Sequence, residues 1–123
     1  MSQVLIVEDT QDTADLMMLT LQRLGVETFH APDGYVALEF LENNTPDLML
    51  LDIGLPGMSG WDVLEAIKEH DPDNSFPVIV LTAFADPTNK LIGKFQNRVH
   101  QYITKPFEMK HLQEVVREVL SLD

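Results

Sequence analysis

The 123-residue sequence predicts an α/β fold, a parallel sheet with helices on both faces. Three observations predict it. Short apolar runs alternate with helical stripes along the whole chain. Three of those runs are apolar throughout, as strands covered on both sides should be. Two of them lead directly into acids, Glu8-Asp9 and Asp52. In open α/β sheets, ligands collect in the crevice beyond such strand ends.

The first run, Val4–Val7, precedes Glu8-Asp9. A helix follows with Ala14, Met17, Leu21 and Leu24 on one stripe, and Gly25 is placed to stop it. The second run, Val26–His30, mixes in Glu27 and Thr28, which suits an edge strand. After the turn Pro32-Asp33-Gly34, a second helix presents Val36, Ala37, Phe40 and Leu41. Leu48–Leu51 then leads into Asp52 and the loop Ile53-Gly54-Leu55-Pro56-Gly57. A third helix begins after Gly60, with Val63, Leu64 and Ile67 inward and Trp61 a partly exposed packing residue. Val78–Leu81 ends at Thr82. Between Pro87 and Gln96 only Leu91, Ile92 and Phe95 are apolar, and Gly93 interrupts them, so a short, weak helix is expected there. His100–Ile103 is the fifth run and leads to Lys105-Pro106. The last helix carries Leu112, Val115, Val116, Val119 and Leu120, an i, i+3, i+4, i+7, i+8 stripe. Nothing remains for a second domain, and residues 1–123 read as one.

There is no cysteine, which excludes disulfides and thiolate metal sites. No apolar stretch approaches the roughly 20 residues that cross a bilayer. The N-terminal apolar run is too short for a signal peptide, so a cytoplasmic protein is expected. The net charge of −12 argues against direct nucleic-acid binding. That charge is uneven. Residues 1–85 carry fifteen acids and two bases, whereas residues 86–123 carry five acids and six bases. The segment from Lys90 to Arg117, with Lys94, Arg98, Lys105 and Lys110 between, reads as a partner-facing surface or a homodimer contact. Charge reversal at Lys94 and Arg98 should weaken such an association.

Three carboxylates near one point repel unless a cation separates them. Mg²⁺ suits Glu8, Asp9 and Asp52, because it takes oxygen ligands and is usually held by one or two carboxylates plus a phosphate. Such a site suits phosphoryl transfer. Asp52 is then the candidate nucleophile, forming an acyl phosphate. Thr82 is placed to hydrogen-bond a phosphoryl oxygen, and Lys105 to pair with a carboxylate or a phosphoryl oxygen. The Lys105-Pro106 bond is open to the cis form, which would aim Lys105 inward. His30, His70, His100 and His111 show no ligand spacing and read as surface or edge histidines.

Glu8-Asp9, Asp52, Thr82 and Lys105-Pro106, each after a strand in that order, resemble the receiver domain of two-component response regulators, of the stand-alone chemotaxis-regulator type. The loop Leu55-Pro56-Gly57-Met58-Ser59-Gly60 fits the same pattern, and the resemblance covers essentially the whole chain. It implies a flavodoxin-like (βα)5 fold with strand order 2-1-3-4-5. It further implies Asp52 as phosphoacceptor, with Mg²⁺ held by Asp9, Asp52 and the Gly54 carbonyl, and Glu8 acting through water. Thr82 and Lys105 would bind the phosphoryl group, and Tyr102 would be the aromatic switch residue. Gly54 and Phe84 match positions that tune acyl-phosphate lifetime. The implied donor is a histidine kinase or a phosphotransfer protein. The response would act through another protein, or the chain would be part of a larger regulator. The sequence departs from the family around Gln96-Asn97-Arg98-Val99, on the face used for output or dimerisation.

Three rivals remain. An aspartyl-nucleophile phosphatase usually has a second carboxylate two residues after the nucleophile, where this chain has Gly54. A flavodoxin needs a phosphate loop after its first strand, where Glu8-Asp9-Thr10-Gln11-Asp12 would repel a phosphate. A degenerate receiver that signals without phosphate would not need the full set of site residues.

Overall fold

The computed structural model of the protein describes residues 1–70, 76–83 and 99–122. The expected helix between positions 87 and 96, Phe84, and the bases Lys90, Lys94 and Arg98 lie outside the described residues.

The described elements run β1 (Gln3–Val7), α1 (Gln11–Gln22), β2 (Glu27–Ala31), α2 (Gly34–Asn43), β3 (Leu48–Asp52), α3 (Gly60–His70), β4 (Val78–Thr82), β5 (Val99–Thr104) and α4 (Met109–Val119). The five strands form one sheet in the order β2-β1-β3-β4-β5, and every pairing is parallel. This is the expected flavodoxin-like order. β1 lies between β2 and β3, so the winding direction reverses there and the chain leaves a crevice at the C-terminal ends of β1 and β3.

Side-chain alternation along the strands builds two apolar layers. Val4, Ile6, Leu48, Leu50, Ile79, Leu81 and Ile103 pack with Met17 and Leu21 of α1 and Leu112, Val115 and Val116 of α4. Leu5, Val7, Met49, Leu51 and Val80 pack on the other side with Ala37 of α2 and Val63, Leu64 and Ile67 of α3. β3 and β4 are buried at every residue, whereas β2 is mostly half-exposed, as an edge strand should be. No helix among the described residues is long and apolar enough to cross a membrane.

Local chemistry sets the helix boundaries. After α1 the Gly25 N–H donates to the Gln22 carbonyl at 3.0 Å, with Gly25 at φ +81°, a conformation that favours glycine. Asp33 caps α2 by accepting from the Val36 N–H at 2.9 Å. That cap fixes the phase of α2 and corrects one expectation. Val36 is 39% exposed, and Leu38 joins Ala37 and Leu41 on the packed face instead. α3 opens on a reciprocal box: the Asp62 N–H donates to Ser59 Oγ at 3.2 Å, and the Ser59 N–H donates to Asp62 Oδ2 at 3.1 Å.

Candidate functional site

Asp52 is the last residue of β3, so its backbone continues a ladder buried on both faces and its side chain emerges at the crevice. It is only 5% exposed. The Gly54 N–H donates to Asp52 Oδ1 at 2.9 Å, and Lys105 Nζ donates to Oδ2 at 2.8 Å. The loop beyond is held tightly against the strand. The Gly60 N–H donates to the Ile53 carbonyl at 3.1 Å, and a Cβ on Gly60 would lie 2.7 Å from the Asp52 carbonyl oxygen.

Glu8 follows β1 and is 1% exposed. Its N–H continues the ladder by donating to the Ala31 carbonyl at 3.1 Å. Its carboxylate accepts from the Thr10 N–H at 3.3 Å and from Lys105 Nζ at 3.3 Å. Carboxylate oxygens of Glu8, Asp9 and Asp52 lie within 4.8 Å of one another. Asp9 is the exposed member of the three.

Lys105 arrives from the far side of the sheet. Its N–H donates to the Thr82 carbonyl at 2.7 Å, which extends the β4–β5 ladder and sets Lys105 beside Thr82. The Lys105-Pro106 bond is cis, and the Lys105 ammonium points inward to both Glu8 and Asp52. Thr82 itself is buried at the end of β4. Glu8, Asp9, Asp52, Gly54, Thr82 and Lys105 all line one cavity of about 250 Å³, together with Thr10, Ile53 and Ala83. Tyr102 is not brought to that cavity. Its ring packs in the layer beneath α2 and α3, and its hydroxyl is buried without a hydrogen-bond partner.

Electrostatics follow from this packing. Burial pushes the Glu8 carboxyl above the ordinary range, the nearby Asp52 adds to the rise, and the Lys105 cation opposes both. Burial pulls the Lys105 ammonium down, but its bonds to Asp52 and the charges of Asp52 and Glu8 outweigh burial and leave it raised. Burial also raises the Tyr102 phenol. Lys105 brings one positive charge to three carboxylates. An oxygen-only donor set in this state fits a hard divalent cation such as Mg²⁺.

The histidines were read as surface or edge residues. His30 does lie on the edge strand β2, yet its Nε2 is 2.8 Å from the Glu8 carbonyl oxygen. No spacing in the sequence signals that contact, because it joins residues on different strands.

The sequence profile of the response regulator receiver domain matches residues 4–117. The sensory transduction protein RegX3 of Mycolicibacterium smegmatis is 38% identical over 120 residues, 98% of this chain and 51% of that protein. The DNA-binding response regulator MtrA of Mycolicibacterium paratuberculosis is 35% identical over 115 residues, 94% of this chain and 49% of that protein. The chain therefore spans about half the length of these curated relatives. Among solved structures, the chemotaxis response regulator CheY4 of Vibrio cholerae superposes with a TM-score of 0.86 at 28% identity, covering 97% of this chain and 98% of that one. The response regulator protein TrrA from Thermotoga maritima, in complex with Mg²⁺-BeF, superposes with a TM-score of 0.81 at 29% identity, covering 97% and 99%. With the profile spanning nearly the whole chain and RegX3 alike along almost all of it, the chain belongs to the response regulator receiver domain family.

Proposed function

We propose that Asp52 is the phosphoacceptor of this receiver domain and that the cavity above it is the phosphorylation site. One observation carries the reading: a buried carboxylate, gripped by Gly54 and Lys105, faces a cavity that two further acids share. In this reading an Asp52 oxygen attacks the phosphorus of a phosphohistidine. The P–N bond breaks, its electron pair stays on the imidazole, and an acyl phosphate forms. Hydrolysis reverses the charge flow: water attacks phosphorus, and the Asp52 carboxylate leaves with its electron pair.

The donor set fits Mg²⁺, with Asp9, Asp52 and the Gly54 carbonyl as ligands and Glu8 acting through water. When bound, Mg²⁺ neutralises charge on the phosphoryl oxygens. Lys105 moves its bond from Asp52 to a phosphoryl oxygen, and the Thr82 hydroxyl donates to another. Tyr102 is the switch residue that couples this step to the surface.

Residues 1–123 act as one regulatory module. The donor is a sensor histidine kinase or a phosphotransfer protein, and the protein is cytoplasmic. MtrA is a DNA-binding regulator by name. The net charge of −12 makes the receiver itself a poor ligand for nucleic acid, so its phosphorylated state is read by protein. The segment from Lys90 to Arg117 is the candidate contact for that partner or for a second copy, and among its described residues Lys110 and Arg117 are exposed on α4. A phosphatase with a separate substrate is the weaker reading, because Gly54 offers no proton to a leaving group.

The test is incubation with acetyl phosphate and Mg²⁺, read by intact-protein mass spectrometry. A labile phosphoryl adduct is expected for wild type. It is absent in Asp52→Asn and when Mg²⁺ is omitted. An adduct that persists in Asp52→Asn overturns the assignment.

A further inference from the structure

We propose that His30 is a positioning residue for the acidic pair. Its ring fixes the Glu8–Asp9 peptide and so sets how both carboxylates meet a divalent cation. The inference rests on the reading of that cluster as a Mg²⁺ site.

Glu8 is held on both sides by consecutive residues of β2. Its N–H donates to the Ala31 carbonyl, and its own carbonyl accepts from His30 Nε2 at 2.8 Å. A carbonyl only accepts, so the ring carries its proton on Nε2. The contact follows from register. His30 pairs with Ile6, two residues before Glu8, so its side chain need only lean along the strand to reach the next carbonyl on that side. A continued parallel ladder would supply the Asp33 N–H instead. β2 ends at Ala31, however, and Asp33 turns away to cap α2. The imidazole replaces the missing ladder donor at the point where the chain enters the site.

This matters most for Asp9. Among the described residues no hydrogen bond holds the Asp9 carboxylate. Its direction is set by the peptide that precedes it, and His30 caps the carbonyl of that peptide. Loss of the cap frees the peptide to rotate and spreads Asp9 over orientations that do not meet the cation. Partners one step removed from a metal commonly change its affinity by 10–100-fold. Here the partner acts on backbone, and the lower end is expected.

The experiment is calorimetric Mg²⁺ titration of the whole chain at one pH, in wild type, His30→Leu and His30→Gln. Gln extends an amide N–H to about the place of Nε2, whereas Leu fills the space without a donor. His30→Leu is expected to weaken Mg²⁺ binding by about tenfold. His30→Gln should stay within about twofold of wild type by the same argument. Wild-type affinity in His30→Leu overturns the proposal, and so does equal weakening in both variants. A wild-type chain that binds no Mg²⁺ fails the metal reading itself, and this inference with it. Nitrogen-15 NMR of the wild-type ring supplies an arm that needs no variant to fold. The neutral ring should carry its proton on Nε2, protected from exchange, and a proton on Nδ1 overturns the proposal.

Discussion

β3 and β2 both reach the acidic cluster, and they bring opposite things to it. β3 is buried at all five residues and delivers a carboxylate, Asp52. β2 is a half-exposed edge and delivers a hydrogen-bond donor, His30. The second pair of contributing strands behaves alike. Central β1 leads into Glu8, whereas edge β5 leads into Lys105. Covering both faces of central β1 strips water from its tip, and burial raises the Glu8 carboxyl there. An edge strand leaves room for a long side chain to lie partly in solvent, as Lys105 does with 28% of its side chain exposed. Negative charge and its compensation thus come from different strands. The site exists only when the whole sheet is assembled in its observed order.

The comparison breaks most visibly at the glycines. A Cβ on Gly60 would meet backbone of the β3 tip, 2.7 Å from the Asp52 oxygen and 2.8 Å from Ile53 Cα. Neither atom can give way without moving Asp52. Gly60→Ala should destabilise by about 3 kcal/mol in urea unfolding. Gly34, beside edge strand β2, differs. A Cβ there would meet only side chains, Val63 Cγ2 at 2.8 Å and Met58 Sδ at 2.9 Å. Gly34→Ala should lose less, about 2 kcal/mol, since the Met58 thioether can swing aside while the buried Val63 methyl and Met58 Cβ at 3.2 Å must shift slightly. Equal losses would show that the central tip is no more rigid than the edge.

Removing the edge cation is the next largest change. Lys105→Met leaves Glu8 and Asp52 facing each other without their shared donor. A fully buried orphaned charge costs several kcal/mol. With Lys105 partly exposed, about 2 kcal/mol at neutral pH is expected. The raised pKa of Lys105 means that its contribution is complete below the ordinary lysine value and is lost as pH rises through the folded one. Wild type should therefore lose its advantage over Lys105→Met at strongly alkaline pH, where Lys105 deprotonates, and at acid pH, where its carboxylate partners are protonated. Thermal unfolding of both across pH measures this, and a constant difference would count against ion pairing as the cause.

Removing a central acid should act with the opposite sign. The Glu8 carboxyl is raised, so its contribution is present at low pH and is lost as pH rises from the ordinary carboxyl value through the folded one. Glu8→Gln never ionises. Without Mg²⁺ it should be about 1 kcal/mol more stable than wild type at neutral pH and gain nothing at pH 4. Lower stability of Glu8→Gln at neutral pH would show that Lys105 already compensates the cluster.

The same division decides what the sequence discloses. Central strands are legible because both faces are apolar, and each acid or hydroxyl after a run is legible with them. Glu8, Asp9, Asp52 and Thr82 were readable in this way, Lys105 followed the apolar run of an edge strand, and Gly54 came only from the family resemblance; all six line one cavity. Features that depend on register or phase were not. Val36 fits an apolar stripe, but the Asp33 cap starts α2 so that Leu38 takes the inner place. His30 reaches Glu8 only because β1 and β2 pair with Ile6 opposite His30. Which face of β5 carries Tyr102 also depends on register. Strict alternation would put Val99 and Tyr102 on opposite faces. A register irregularity between Val78 and Ile79, which pair with Val99 and Gln101, puts both in the layer beneath α2 and α3.

That irregularity buries the Tyr102 hydroxyl, and it yields the smallest and most discriminating change. The hydroxyl has no hydrogen-bond partner, so folding strips it of water and returns nothing. Tyr102→Phe should then be more stable than wild type by about 0.5 kcal/mol in the unphosphorylated state. Burial raises the phenol, so wild type loses stability as pH rises through the folded value and Phe does not. The gain from Phe should therefore grow at alkaline pH. If Tyr102 is the switch, its hydroxyl finds a partner only after Asp52 is modified. The small gain should then vanish or reverse when unfolding is measured with beryllofluoride and Mg²⁺ as a phosphate mimic. A gain of the same size with and without the mimic would leave Tyr102 as packing at the edge and no part of the response.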